Sequence, residues 1–467
     1  MRIHQLLFAG ILFILAEHGY AQPSSETTDY GWKAGVAKVN ITPEEPLWMA
    51  GFASRTRPAE GKLHDLWMKA LALEDAAGNK SVLLTSDLLG IPRDISEQIR
   101  AQLKSKYGLD KAQVILNSSH THSAPVLSNA LSDIYVLDEQ QKKQVDIYSK
   151  KLVEQTVNVV GRALNAMEPA QLASANGVTR FQVNRRNNDA STLDRVSEIK
   201  GPSDYAVPVL KVTGSSGKIL AIAFGYACHP TSLSEYLWSG DYPGYTQIEL
   251  EKMYPGSQAM FFQGAGADQN PLPRRTIPLA EQYGKTLAFA VDRVLKEEMQ
   301  ILEPKIQTAY SEIDLPLTTP PTEKELADFI EKAPGYQQNW AKRLLNELGE
   351  GKSFARTYPY PVQVWKLGEQ SIMTLGGELV VEYAINLKKI FGPDIFVMGY
   401  TNDVMAYIPS SKILREGGYE GASSQMVYGL PSTWASDIES LIIHELVQLA
   451  EQAGVQKPES KLIGAGN

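Results

Sequence analysis

The residues best suited to chemistry in this 467-residue chain lie in one short run, Asn117-Ser-Ser-His120-Thr-His122-Ser-Ala-Pro125. It directly follows the apolar stretch Val114-Ile115-Leu116. Alternate side chains of a strand share a face. A strand continued through Thr121 would aim both imidazoles into one pocket, as paired metal ligands or as one ligand beside a proton-transfer group. An exposed polar turn with two unrelated histidines is the other reading, because His-x-His spacing is common. The remaining histidines shift that balance. Of seven, His4 and His18 fall in an N-terminal targeting pattern. His120, His122 and His229 each sit in a polar, turn-rich segment after an apolar run, and active sites of α/β proteins gather at such strand ends. His444, in Leu441-Ile-Ile-His-Glu-Leu-Val447, reads as part of a structural helix.

The elements that must position these groups alternate along the chain. Strands are expected at 35–40, 70–74, 81–85, 114–117, 207–212, 219–226, 259–263, 306–313, 362–366, 371–375 and 395–399. Helices are expected at 94–107, 138–166, 246–253, 278–298, 323–333, 338–348, 380–391 and 433–453. The mixture implies an α/β or α+β fold of mixed sheets flanked by helices. Long loops are expected at 184–205 and 312–323, and loops of that length are often functional.

Composition narrows the class. Arg2 precedes an apolar core from Leu6 to Leu15, and Gly19-Tyr20-Ala21 offers a small-x-small cleavage site. That reads as a secretory signal over 1–21, with the product periplasmic or extracellular. The apolar run is short for a stable membrane span, and no cysteine near the cut offers a lipid anchor. Removal leaves about 445 residues, room for a single catalytic domain over 22–456 and a flexible tail over 457–467. The net charge of −8 argues against nucleic acid as a partner. Cys228 is the sole cysteine, so no intrachain disulfide can form, and a small buried apolar role suits it better than that of a nucleophile.

Several segments, in order, resemble the catalytic domain of the neutral/alkaline non-lysosomal ceramidase family. They are Gly35-Val-Ala-Lys-Val-Asn-Ile-Thr-Pro43, Met49-Ala-Gly51-Phe, Ser86-Asp87-Leu88, His120-Thr-His122-Ser-Ala-Pro125, His229-Pro-Thr-Ser232, Gly377-Glu378 and Tyr419-Glu-Gly-Ala-Ser423 followed by Tyr428-Gly429. The resemblance implies one zinc ion per chain, held by His120, His229, Glu378 and Tyr407. It implies that His122 faces the scissile bond and that Tyr419 donates to a developing oxyanion. Arg185 and Gly51 would contact substrate, although Arg186 follows directly and the sequence leaves either arginine facing inward. Read from the residues alone, Glu378 suits the first turn of a helix, Tyr407 suits a buried aromatic, and both arginines suit a solvated loop.

Two departures stand out. Where the family has Gly-Asp-Val-Ser-Pro-Asn, this chain has Gly264-Ala-Gly-Ala-Asp268-Gln269-Asn270-Pro271. Asn270 occupies the serine position and carries no nucleophilic oxygen, yet it can still hydrogen-bond a substrate carbonyl. Asp268 keeps its acid. Ala124 replaces a glycine after the histidine pair. No β-sandwich of the kind that larger ceramidases add is expected in this sequence. The expected activity is zinc-assisted hydrolysis of an amide in an N-acyl compound, a ceramide-like lipid included, with His122 or Asp268 passing a proton to the leaving amine. A hydrolase for a glycoconjugate or ester, or a silent metal-binding protein of the same fold, are the alternatives.

Overall fold

Apolar strands buried on both faces build the centre of the molecule, which a computed structural model describes for residues 31–457. The N-terminal export pattern and the tail from 458 lie outside the described residues. The main sheet has nine strands. Its antiparallel body runs in the spatial order Ile219–Tyr226, Ala206–Gly214, Glu168–Val178, Trp32–Asn40, Trp67–Glu74, Lys80–Ser86. Each end gains a parallel neighbour: Gln258–Gln263 beside Ile219–Tyr226, and Val114–Ser118 beside Lys80–Ser86. Gln300–Ile301 pairs with Glu168–Val178.

The two outer strands meet across Asn117. Its amide donates to the carbonyls of Gly399 at 2.8 Å and Gln263 at 3.4 Å, and the Gln263 N–H donates back to its Oδ1 at 2.8 Å. The sheet therefore curls until its edges nearly join.

A second sheet, ordered Ile306–Pro316, Thr357–Leu367, Gln370–Leu375, Phe396–Met398, ends in a parallel pair. Trp365, Phe396 and Ile372 from this sheet pack with Trp32, Leu71 and Phe262 from the main one. Burying side chains of that size stabilises the fold by ~1.5–3 kcal/mol each. Helices Arg93–Tyr107 and Glu139–Asn165 cover one part of the main sheet, and Asp241–Met253 and Ile277–Lys296 another. Helix Ile438–Gln452 packs on the second sheet.

Three expectations need correction. Strand Glu168–Val178 was not anticipated, because Gln171, Ser174, Asn176 and Gly177 lack strand preference and its neighbours on both sides impose the conformation. The loop expected from 312 begins only after Pro316, since the strand Ile306–Pro316 keeps pairing to Thr357. The last helix starts at Ile438 rather than 433.

The consequence for function is positional. Val114–Ser118, Ile219–Tyr226, Gln258–Gln263, Gln370–Leu375 and Phe396–Met398 deliver their C-terminal ends to one place. The segments that follow, loops and short strands, carry His120 and His122, His229, Asp268 and Asn270, Glu378, and Tyr400 and Tyr407. Parallel pairing makes this possible, because neighbouring strands then end on the same side.

Candidate metal centre and its cleft

The histidine pair is assembled differently from the strand alternation expected. The strand stops at Ser118, and His120 takes a left-handed φ of 65°. A non-glycine residue in that region is held there by its surroundings. The His120 N–H donates to the Leu88 carbonyl at 2.9 Å, and its ring Nδ1 lies 2.6 Å from the Leu89 carbonyl. His122 then returns in a turn, so that the two Nε2 atoms lie 3.3 Å apart and the rings meet edge-on.

His229 follows the strand Ile219–Tyr226 and is fixed at both ends. Its N–H donates to the Gln269 carbonyl at 2.9 Å, and Nδ1 lies 2.9 Å from the Gly266 carbonyl. With carbonyls as acceptors, Nδ1 of His120 and of His229 carries the proton and Nε2 keeps its lone pair for a ligand. Metal-binding histidines are oriented in this way. Burial lowers His229 to about 4, which leaves it neutral at physiological pH.

Glu378 lies in the short strand Glu378–Leu379, whose parallel partner places Tyr407 directly opposite it. It is therefore not a first-turn residue of the helix Val381–Phe391. Its Oε2 is 3.2 Å from His120 Nε2 and 3.1 Å from His229 Nε2. Its Oε1 accepts from the Tyr428 hydroxyl at 2.6 Å. Burial opposes ionisation here, but the adjacent His120 and His229 more than offset it and hold the carboxyl well below the usual range. The Tyr407 hydroxyl is 3.5 Å from His229 Nε2 and accepts from Arg185 Nη2 at 3.2 Å. Burial, then Glu378, push its phenol well up, while Arg185 opposes them.

These separations suit a metal. Four ligands placed tetrahedrally at ~2.0–2.1 Å stand about 3.3–3.4 Å apart. Among the described residues, His120, His122 and His229 form the group of side chains that could hold an ion, with ligand atoms within 4.8 Å of one another. The orienting hydrogen bonds separate that trio into two kinds. His122 Nδ1 is buried with no partner, so its ring lacks the anchoring carbonyl that His120 and His229 possess. Glu378, which reaches both anchored rings, completes the donor set better than His122 does. Burial, then the neighbouring histidines, lower His122 well below its ordinary value.

The other expected residues surround this centre. Gly51 has φ 104°, and a Cβ there would stand 2.4 Å from His122 Cγ, so its place is behind the His122 ring. Arg185 is the arginine that faces inward, bonded to Tyr407 and to Glu420 Oε1 at 2.7 Å. Arg186 instead reaches Glu420 Oε2 at 2.7 Å and Glu416 at 3.0 Å. Tyr419 stands edge-on to Tyr407, with ring centroids 5.2 Å apart. The Asp268 carboxylate is already engaged: it accepts from Asn184 at 2.9 Å and from the Val381 N–H at 2.9 Å, capping a helix. Burial raises its pKa. Asn270 is 3% exposed and its Oδ1 has no partner. Ala124 is buried, and its carbonyl accepts the Ala50 N–H at 2.8 Å. His444 lies on the exposed side of its helix, beside Gln448.

Sequence reasoning missed Tyr428 as the residue that holds Glu378, although it sits in the segment Tyr428-Gly429 already singled out. A cleft of about 760 Å³ adjoins the centre through Arg185 and Tyr419, and Arg186, Asp189, Asn270, Arg274 and Glu420 also line it. A cleft of similar size, about 740 Å³, lies beside Pro43, Lys151 and Trp238. Neither cleft is lined by a histidine, but Arg185 and Tyr419 of the first contact Tyr407, so the chemistry belongs with the first. No described helix is long and apolar enough to cross a membrane.

Residues 32–270 match the family model described as neutral/alkaline non-lysosomal ceramidase, N-terminal. The neutral ceramidase of Drosophila melanogaster is 23% identical over 337 residues, which is 68% of this chain and 42% of that protein. Its counterpart in Drosophila pseudoobscura pseudoobscura is 24% identical over 274 residues, covering 54% and 36%. The chain thus spans about two-fifths of the length of the curated relatives it matches. The neutral ceramidase structure from Pseudomonas aeruginosa aligns with a TM-score of 0.70 at 19% identity, covering 91% of this chain and 75% of that one. A ceramidase complexed with C2 aligns with a TM-score of 0.70 at 18% identity, covering 92% and 76%. At these identities the likeness establishes a shared fold.

Proposed function

From the premise that this chain belongs to the neutral/alkaline non-lysosomal ceramidase family, we propose that it is a zinc-dependent hydrolase that cleaves the amide bond of an N-acyl compound. The observation that carries this reading is the convergence of His120 Nε2 and His229 Nε2 on Glu378 Oε2, at 3.2 and 3.1 Å, with both histidines tied back through Nδ1. Two imidazoles, a carboxylate and a phenol oxygen favour zinc over magnesium. A zinc ion held there supplies Lewis acidity towards a carbonyl oxygen and towards water.

The chain's own residues supply the rest. Glu378 brings one negative charge beside the two imidazoles, and Tyr428 fixes its orientation. Tyr407 is held by Arg185, and Glu420 in turn holds Arg185, so the side of the centre towards the cleft is rigid. Tyr419 stands at the mouth, where its hydroxyl can donate to a carbonyl oxygen that is gaining charge. His122 is neutral, unanchored at Nδ1, and has Nε2 facing His120. It is the group placed to take a proton and return it to the leaving amine. The Asp268 carboxylate, committed to Asn184 and Val381, acts by positioning. The Leu6–Leu15 pattern supports export, which places the reaction outside the cytoplasm.

His122→Ala tests the division of labour. It should keep zinc near one ion per chain and reduce amide turnover by about 10²–10⁴-fold, the range for losing a proton-transfer group. Loss of metal in His122→Ala with metal retained in Glu378→Ala would instead make His122 the third ligand and remove the proposed proton carrier.

A further inference from the structure

The cleft beside the centre contains a guanidinium with no ion-pair partner among the described residues. Glu420 is saturated by Arg185 and Arg186. Arg274 donates to the Thr231 hydroxyl at 2.8 Å, two residues beyond His229, and forms no ion pair among the described residues. Burial, then the nearby Arg275 and Arg185, lower its pKa to about 10, as expected for a guanidinium crowded by like charge. Asn270 lines the same cleft, 3% exposed, with its Oδ1 unpartnered. A primary amide can present either N–H or C=O by turning over. In a chain of net charge −8, this is a local concentration of positive charge beside an unsatisfied amide. A buried polar atom without a partner is costly unless a ligand satisfies it.

We infer that Arg274 and Asn270 form an oxyanion subsite, so that the preferred substrate is an N-acyl compound bearing an acidic group rather than a neutral one. The inference rests on the amidase reading of the adjacent centre. A guanidinium fork suits a carboxylate or a phosphate, and both present oxygens that accept two parallel hydrogen bonds. Arg185 stays committed to Tyr407 and Glu420, which leaves Arg274, bonded through one Nη to Thr231, as the guanidinium without an ion pair on this wall.

The test compares three compounds that share one acyl chain: N-hexanoylglycine, N-hexanoylaminoethyl phosphate and the neutral N-hexanoylglycinamide. With zinc-loaded protein, at least one acidic compound should exceed the neutral one in kcat/KM by about 10- to 100-fold, mainly through KM, as loss of a charged hydrogen bond predicts. Which acidic compound leads identifies the oxyanion. The preference should weaken with added salt. It should collapse towards one in Arg274→Gln and partly return in Arg274→Lys, with zinc content unchanged. Equal turnover of acidic and neutral compounds by wild type, or a preference that survives Arg274→Gln, overturns the inference. If none of the three turns over, the amidase reading fails, and the subsite is judged by calorimetric binding of the two acidic compounds. Binding lost in Arg274→Gln sustains it, whereas no binding, or binding equal in both proteins, overturns it.

Discussion

Replacing Tyr428 by phenylalanine tests how the Glu378 carboxylate is held. The Tyr428 hydroxyl donates to Oε1 at 2.6 Å, while Oε2 faces both anchored imidazoles. Glu378 is 3% exposed, so water cannot readily replace a lost donor. Phenylalanine keeps the ring and removes only the O–H. A hydrogen bond to an ionised group contributes ~1.5–3 kcal/mol. Removal of such an orienting partner typically weakens metal binding by about 10–100-fold. At ~1.4 kcal/mol per decade, the two figures describe the same loss. Tyr400 supplies the control: its hydroxyl is 3.5 Å from Oε2, too long for a strong bond. Tyr400→Phe should therefore change zinc affinity far less. The assay is zinc competition against a chromophoric chelator at neutral pH, with thermal melts to confirm folding. Zinc affinity in a folded Tyr428→Phe protein within about threefold of wild type, where ~10-fold or more is expected, would refute the assignment of Glu378 as a ligand oriented by Tyr428.

Two further substitutions probe the surroundings. Gly51→Ala places a methyl group against the His122 ring at a φ of 104°, and should cost ~1–3 kcal/mol in stability. Turnover should fall while zinc stays, since His120 and His229 are untouched; metal analysis beside a rate assay checks this. Glu312 links Arg93, Lys111 and Tyr310. Burial opposes its ionisation, but those partners lower its carboxyl from 4.5 to about 2. A depressed carboxyl contributes stability that is present above the unfolded value of 4.5 and lost as pH falls towards 2. The shift corresponds to at most about 3 kcal/mol, reduced by partial exposure of the pair. Urea midpoints measured across that window should fall steeply in wild type and more shallowly in Glu312→Gln.

Legibility in the sequence followed physical range. Strands such as Ile219–Tyr226 and Gln258–Gln263 announce themselves by apolar runs, and Glu139–Asn165 by its period and the Asp138 cap. Glu168–Val178 does not, because its conformation is imposed by strands that pair with it on both sides. The histidines were legible because they follow apolar runs, although the way His120 and His122 meet was not: a left-handed turn replaces the strand. Glu378 and Tyr407 rested on a family resemblance, and only pairing of the strands Glu378–Leu379 and Tyr407–Ile408 places them side by side. Tyr428 and Glu378 are fifty residues apart, and Arg274 reaches the cleft through a turn. No local pattern encodes contacts of that range, and tyrosine and arginine have ordinary structural roles that mask such positions.

His120, His229 and Glu378 are proposed to hold one zinc ion. The most direct measurement is metal content by elemental analysis of protein purified without added metal and then offered zinc, for wild type and for His229→Ala. Wild type should hold close to one zinc per chain, and a folded His229→Ala protein should lose it. Wild type that takes up no zinc, or His229→Ala that retains it in full, would contradict the account.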